Sequence, residues 1–172
     1  DLDSIQQKPT GTPILELNPA KNATDGEHAL RQIQASHVSR IVLLGGLGPG
    51  RLDHVSYHLE ALLGAARKGK SMSITDGRQW VTAFAGPSSQ VIHFAKEMPK
   101  KMIVSLVPCT PIKDLDLKGL VWDIDHRDLQ VPTSLCVSNQ KDPQKEAFYL
   151  SLKEGELLLF LNPEDYPVPA SA

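Results

Sequence analysis

Two aspartates, Asp1 and Asp3, stand one residue apart at the beginning of the chain. In an extended segment, side chains at positions i and i+2 point to the same side. The two carboxylates can therefore converge on one hard cation, which prefers oxygen ligands. The same spacing recurs at Asp114 and Asp116, where we interpret it as the solvated face of a β-strand.

A glycine-rich stretch, GGLGPGRLDH, runs from Gly45 to His54 between an apolar run and a predicted helix. Glycines at such a point let backbone amides approach a phosphate, and the helix dipole favours negative charge there. The stretch is neither a Walker A loop nor the dinucleotide fingerprint, since an Arg and an Asp open the helix. Arg51 suits a bidentate phosphate contact, and Asp53 suits a metal or a nucleotide hydroxyl. A surface arginine beside an aspartate that compensates the helix dipole is an equally good interpretation.

A third stretch, KNATD, spans Lys21 to Asp25 ahead of another predicted helix. Thr and Asp are preferred N-cap residues. Glu27 follows Thr24 at the spacing of a capping box. By itself, this stretch is explained by helix capping.

The elements that would position these residues alternate in the first part of the chain. A short strand over Ile14 to Leu17 precedes the helix TDGEHALRQIQAS. The continuous apolar run SRIVLLGG is typical of a strand buried on both faces. The next segment, RLDHVSYHLEALLGAARKG, has an apolar stripe at helical spacing. Strands that alternate with helices across short loops predict a parallel α/β sheet, of the Rossmann-like class.

After Gly69 the sequence predicts only short strands, at the spacing of an all-β sandwich. YLSLKEGELLLFL is predicted to form a hairpin around Lys153 to Glu156, and WDIDHRD a charged turn. We therefore expect two domains, an α/β domain over residues 1–69 and a β-sandwich over residues 70–172.

Composition excludes several classes of function. The chain has 172 residues, of which 41% are hydrophobic and 22% charged, and a formal net charge of −2. This balance gives no indication of binding to nucleic acid or to an anionic membrane. No apolar run approaches the roughly 20 residues that span a bilayer. Cys109 and Cys136 are far apart in apolar surroundings, so we predict buried free thiols and a reducing, cytoplasmic compartment.

The order of these motifs resembles that of the thiamin pyrophosphokinase family. DLDSI, KNATDGEHAL and GGLGPGRLDH are similar to the family's G-D-x-D-S strand end, K-D-x-T-D helix start and G-G-R-x-D-H loop. SLVP, GLVW and SN in the β-rich half are similar to its S-L-x-P, G-L-K-W and S-N motifs. The resemblance extends from Asp1 to about Leu161. It implies an α/β domain followed by a β-sandwich.

The resemblance implies that the protein transfers the pyrophosphate of ATP to thiamin, with Mg²⁺. The residues matched to catalysis are Asp1, Asp3, Asp25, Arg51 and Asp53, and the Mg²⁺ ligands among them are Asp1, Asp3 and Asp25. The residues matched to the nucleotide are Ser4, Lys21, Asn22, Thr24, Gly46, Gly50 and His54. The residues matched to thiamin are Trp122, Ser138 and Asn139. A homodimer is also implied, with each active site shared between one subunit's α/β domain and its partner's sandwich.

The chain departs from the family pattern at a few positions. Asn22 replaces the usual Asp, Pro49 lengthens the glycine loop, and Val121 replaces a Lys. The family also has strand–helix units before its first motif, so we expect residues to precede Asp1 in the full protein. Two alternative functions stay open: a pyrophosphokinase of a pterin alcohol, and a non-catalytic binder of thiamin or nucleotide. Trp122 and the SN pair weigh against the former.

Overall fold

The computed structural model of the chain describes residue 11 and residues 22–34, 37–47 and 51–164. The chain divides into two compact units, residues 1–39 and residues 40–172. The predicted domain boundary after residue 69 stays a prediction. No helix in the described ranges is long and apolar enough to cross a membrane.

The first unit contains the predicted helix, α1, over Asp25–Gln34. Thr24 caps it, because the Glu27 backbone N–H donates to Thr24 Oγ1 over 3.1 Å. The Glu27 carboxylate does not complete a capping box but pairs with the Arg31 guanidinium one turn later. The helix and its cap are therefore confirmed.

The second unit contains one described helix and ten strands. They are β1 (Arg40–Leu44), α2 (Leu52–Arg67), β2 (Ser71–Thr75), β3 (Trp80–Ala85), β4 (Ser88–His93), β5 (Met102–Pro108), β6 (Ile112–Lys118), β7 (Ile124–Leu129), β8 (Asn139–Gln140), β9 (Ala147–Leu152) and β10 (Glu156–Pro163). Residues 70–164 contain no helix, as predicted.

The strands form a mixed sheet and an antiparallel sheet. The mixed sheet has the order β1-β2-β3-β10-β5-β8, and the antiparallel sheet has the order β4-β9-β6-β7. Among the described residues, parallel pairing is confined to β1 and β2. Buried side chains of both sheets, including Leu106, Leu117, Phe148 and Leu159, form one hydrophobic core. Helix α2 contacts β2, β3 and β10.

The predicted hairpin around Lys153 to Glu156 is wrong. Strand β9 pairs with β4 and β6, whereas β10 pairs with β3 and β5, so the chain passes from one sheet to the other. Gly155 lies at this crossing with φ +99°, and a Cβ there would lie 2.3 Å from the Pro111 carbonyl oxygen. The two strands are present as predicted, but the sequence did not identify the partner of either one.

The charged turn predicted in WDIDHRD is also wrong, because Ile124–Leu129 is strand β7. Its register against β6 shifts twice. Asp114 and His126 have positive φ angles of 53° and 40° near these shifts. Strand β7 lies at an edge of the antiparallel sheet, and only Leu129 within it is buried, so the segment lacks the apolar residues by which a strand is predicted.

The burial predicted for the apolar run of β1 is wrong as well. Ile41 is buried, whereas Val42 and Leu44 are 44% and 75% exposed, so among the described residues only one face of β1 is covered. Cys136 is buried as predicted, but Cys109 is exposed just after β5, and both thiols are free.

Candidate functional site

The GLVW segment between β6 and β7 exposes an indole ring. Gly119 begins the turn with φ +91°, and its N–H donates to Asp123 Oδ1 over 2.8 Å. Trp122 is 56% exposed and stacks on no aromatic ring of the described residues, while Val121 beside it is 45% exposed. Such an indole face suits a flat or cationic ring.

The side chain of Asn139 holds both backbone polar groups of Trp122. The Trp122 N–H donates to Asn139 Oδ1 over 3.2 Å, and Asn139 Nδ2 donates to the Trp122 carbonyl over 2.7 Å. Asn139 is only 5% exposed, and it lies on β8, where it pairs with Val104 of β5. The exposed indole is therefore attached to a buried anchor on the mixed sheet.

Ser138 precedes this anchor in an unusual backbone conformation. Its φ is +64°, in the left-handed region that residues other than Gly, Asn and Asp seldom adopt. The Ser138 N–H donates to the Oγ of Ser105 over 2.9 Å, and Ser105 is buried. The structure thus brings Trp122, Ser138 and Asn139 to one end of the mixed sheet, and it adds Ser105. The SLVP motif was the only sequence signal for Ser105.

The predicted phosphate-binding residues at the beginning of α2 pair with one another. Arg51 donates to both carboxylate oxygens of Asp53, over 3.1 Å and 2.5 Å. The His54 N–H also donates to Asp53, over 3.1 Å. The hydrogen bond between Arg51 and Asp53 lowers the pKa of Asp53 and raises that of Arg51. A phosphate at Arg51 would have to compete with Asp53 or share the guanidinium with it.

Gly46 lies in a space that fits no larger residue. It is buried, and a Cβ would lie 2.8 Å from Ile74 and 2.9 Å from Leu43. His58 of α2 reaches the Gly46 carbonyl through Nδ1 at 3.1 Å. Close packing between β1, β2 and α2 therefore requires glycine at this position, whatever its role toward a nucleotide.

The other predicted residues divide between described and undescribed parts of the chain. Asp1, Asp3, Ser4, Lys21 and Gly50 lie outside the described residues. Asn22 is exposed, Thr24 caps α1, and Asp25 is the first residue of that helix. Whether these residues gather into one metal and nucleotide site stays a prediction.

Another group of titratable side chains lies on the antiparallel sheet. Asp114, Asp116 and His126 have potential ligand atoms within 4.8 Å of one another. Lys153 Nζ lies 2.5 Å from Asp114 Oδ2, and His126 Nδ1 lies 2.8 Å from Asp114 Oδ1. Hydrogen bonds from Lys153 and His126 lower the pKa of Asp114, and the bond to Asp114 raises the pKa of His126. The cluster is thus an ion-pair network whose carboxylates already have cationic partners.

The segment that contains Trp122 matches a known protein family. Residues 89–157 match the family model described as thiamin pyrophosphokinase, vitamin B1 binding domain. This stretch belongs to the thiamin pyrophosphokinase family. The family predicted from the motifs is therefore confirmed for residues 89–157, which include Trp122, Ser138 and Asn139. No curated protein matches the chain by sequence.

Solved structures of thiamin pyrophosphokinases have a similar fold. The enzyme from Bacillus subtilis is 21% identical with a TM-score of 0.73, over 82% of this chain and 63% of its own. The protein from Geobacillus thermodenitrificans is 24% identical with a TM-score of 0.73, over 86% of this chain and 65% of its own. The one from Candida albicans is 15% identical with a TM-score of 0.60, over 73% of this chain and 44% of its own. The chain thus spans less than two thirds of the length of these relatives.

Proposed function

We propose that this protein transfers the pyrophosphoryl group of ATP to the hydroxyl of thiamin, giving thiamin diphosphate and AMP. The observation that carries the proposal is the match of residues 89–157 to the thiamin pyrophosphokinase domain. That match includes each residue assigned to thiamin by the sequence motifs. The fold similarity to thiamin pyrophosphokinases supports the same reaction.

In the proposed site, thiamin binds beside Trp122, next to the beginning of β8. Thiamin has a flat pyrimidine and a cationic thiazolium, and the exposed indole face suits both through stacking and cation–π attraction. Ser138, whose side chain is exposed next to Asn139, offers a hydroxyl for the pyrimidine. These residues bind and orient the acceptor.

The proposed reaction is attack by the thiamin hydroxyl oxygen on the β-phosphorus of ATP. The new oxygen–phosphorus bond forms as the bond from the β-phosphorus to the oxygen that bridges it to the α-phosphorus breaks. AMP leaves with that oxygen, and the hydroxyl proton is released to water. Little covalent chemistry is required of the protein, so positioning and charge neutralisation do most of the work. Arg51 would contact the phosphates and Asp53 the nucleotide, with Ser4, Lys21, Asn22, Thr24, Gly46, Gly50 and His54 around it.

Asp1, Asp3 and Asp25 would hold Mg²⁺ in this proposal. Their carboxylate oxygens are the donor type that this hard cation takes, usually with water and substrate phosphates. Bound Mg²⁺ supplies positive charge against the phosphate oxygens. The protein's own part is to supply carboxylates close to the triphosphate.

We further propose that the protein is a cytoplasmic homodimer. Each subunit would have the two domains predicted from the sequence, a Rossmann-like α/β domain and a β-sandwich. The free thiols of Cys109 and Cys136 support a reducing compartment. Exposed apolar residues in the segments that contain Trp122 and Ser138 support a site completed by a second subunit, because a partner would cover them. They are Val121, Trp122, Leu135 and Val137.

Calorimetry with thiamin, together with an assay for AMP release, tests the proposed reaction. We expect thiamin to bind and AMP to form only with ATP, thiamin and Mg²⁺ present. Thiamin binding without AMP release would instead identify a non-catalytic binder. AMP release stimulated only by a pterin alcohol would identify the other pyrophosphokinase.

A further inference from the structure

We propose that Asn139 is a positioning residue, which acts on thiamin through Trp122 and does not contact the ligand itself. The inference rests on the proposed function, in which Trp122 binds thiamin. It separates Asn139 from Ser138, its neighbour in the same motif.

The hydrogen bonds of Asn139 leave little of its side chain for a ligand. Oδ1 accepts from the N–H of Trp122 over 3.2 Å and from the N–H of Gln140 over 2.8 Å. Nδ2 donates to the Trp122 carbonyl over 2.7 Å. A carbonyl oxygen has two lone pairs and an amide nitrogen two hydrogens, so only one N–H of the side chain is left. With 5% of the residue exposed, that N–H has almost no access to solvent or ligand.

The same contacts fix the peptide groups on both sides of the Trp122 Cα atom. When a residue's N–H and C=O are both held, its backbone has little freedom, and the direction of the Cα–Cβ bond is set. Val121 adds a further bond, from its N–H to the Gln140 carbonyl over 3.0 Å. An exposed indole then moves chiefly about its own side-chain torsions. Binding a ring against it costs less entropy than binding to a mobile segment.

We call the two hydrogen bonds between the Asn139 side chain and the Trp122 backbone the Asn139 clamp. A variant at Asn139 can remove one of these two bonds. Asn139→Asp keeps an acceptor for the N–H groups of Trp122 and Gln140 but replaces the donor that faces the Trp122 carbonyl. Asn162→Asp is the matched control, because it makes the same amide-to-carboxylate change on β10, where Asn162 Oδ1 accepts from Gln79 Nε2 over 3.0 Å, and it leaves the Trp122 bonds intact. Asn139→Ser, with its shorter side chain, replaces Asn139→Asp if that variant does not fold.

A double-mutant cycle distinguishes positioning from direct contact. Thiamin dissociation constants are measured for the wild type, Asn139→Asp, Trp122→Ala and the double variant. We expect Asn139→Asp to weaken thiamin binding about five- to tenfold when Trp122 is present. In the Trp122→Ala background we expect a loss of less than about twofold, as in the control variant Asn162→Asp. Equal losses in both backgrounds would mean that Asn139 contacts thiamin directly, which would overturn the proposal.

A measurement without ligand tests the positioning role separately from the proposed function. The sequence has two tryptophans, and Trp80 is partly buried against the core, so a Trp80→Phe background makes Trp122 the sole indole. We expect time-resolved fluorescence anisotropy to show a larger fast-motion amplitude of Trp122 in Asn139→Asp and no change in Asn162→Asp. An unchanged amplitude in Asn139→Asp would refute the clamp. If the wild type does not bind thiamin, the proposed function fails, and the anisotropy result still stands.

Discussion

Arg67 donates to both carboxylate oxygens of Glu156 over 2.7 Å each, from Nε to Oε1 and from Nη2 to Oε2. This bidentate pair joins the last turn of α2 to the first residue of β10. The Glu156 side chain is 18% exposed, so its charge is partly shielded from water. Two parallel hydrogen bonds to a planar guanidinium specify an orientation as well as an attraction. The pair therefore sets how the end of α2 sits on the mixed sheet.

We expect Glu156→Gln to lower the free energy of unfolding at pH 7 by about 0.5–1 kcal/mol. The hydrogen bond from Arg67 lowers the pKa of Glu156 below its ordinary value of 4.5. A lowered folded-state pKa stabilises the protein above that ordinary value, and the stabilisation disappears as the pH falls through the lowered pKa. Urea unfolding at pH 7 and near pH 3 would measure the difference between the wild type and the variant at each pH.

Glu164→Gln is the control for this measurement. The Glu164 carboxylate makes a single 3.2 Å contact, with the Lys101 ammonium, and the Lys101 side chain is 82% exposed, so we expect almost no change in stability. The difference in free energy of unfolding between the wild type and Glu156→Gln should be smaller near pH 3 than at pH 7. An equal difference at the two pH values would contradict an electrostatic origin.

The crossing from β9 to β10 depends on glycine at position 155. An alanine there would combine a φ of +99° with a Cβ 2.3 Å from the Pro111 carbonyl oxygen. We expect Gly155→Ala to lower the free energy of unfolding by more than about 3 kcal/mol. Gly77→Ala is matched in backbone conformation, at φ +92°, but its Cβ meets nothing within 4 Å. It should cost only about 1–2 kcal/mol, and equal losses in the two variants would exclude the steric contribution.

Ser138 offers a test in which stability and binding change in opposite directions. Its φ of +64° is strained for serine, so Ser138→Gly should stabilise the fold by about 0.5–1 kcal/mol. The same change removes the hydroxyl proposed to bind the pyrimidine, and thiamin affinity should fall severalfold. Ser138→Ala keeps the strain and loses the hydroxyl, so it should weaken binding without the gain in stability. Unchanged thiamin affinity in both variants would exclude the hydroxyl from recognition.

Much of the local structure could be predicted from the sequence. The helix over Asp25–Gln34 and the helix over Leu52–Arg67 both follow from apolar spacing, and Thr24 caps the first as its position predicts. Strands β2 to β5, β9 and β10 lie where the short apolar segments predict them. Local patterns succeed here because each reports the burial of one face of one element.

Pairing between elements could not be predicted in the same way. Strands β9 and β10 have the pattern of a hairpin, yet the close approach of Gly155 to Pro111 turns the chain into the other sheet. Asn139 was predicted to contact substrate, but no local pattern indicates that its amide holds the backbone of Trp122, which is distant in sequence. Long-range contacts of this kind leave no periodic signal.

Replacement of Trp122 tests the thiamin site directly. Contact with an aromatic face contributes roughly 0.5–2 kcal/mol to the binding free energy of a cationic or flat ring. Trp122→Ala should therefore weaken thiamin binding by about two- to thirtyfold. ATP binding should change much less. Because the indole is 56% exposed, the free energy of unfolding should change little. Trp122→Phe should retain part of the affinity, and equal losses for thiamin and ATP would indicate a general structural role.

Complementation between two inactive variants tests the proposed shared site. The family resemblance assigns Asp3 to the metal and phosphate side and Trp122 with Ser138 to the thiamin side. In the proposed dimer, each active site is formed by the first domain of one subunit and the second domain of its partner. An Asp3→Asn subunit is then defective in the first domain, and a subunit with Trp122→Ala and Ser138→Ala is defective in the second. A heterodimer of the two should then have one site with both halves intact and one site with both defective.

The two variants are refolded together with different affinity tags, and the doubly tagged species is assayed for AMP release. We expect about half of the wild-type activity per heterodimer, since one of two sites is restored. Each variant refolded alone is the control and should stay inactive. If every site lay within one chain, each site of the heterodimer would contain one defective half and no activity would return. Isolated heterodimers without activity would therefore refute the shared site while leaving thiamin binding by each wild-type chain unaffected.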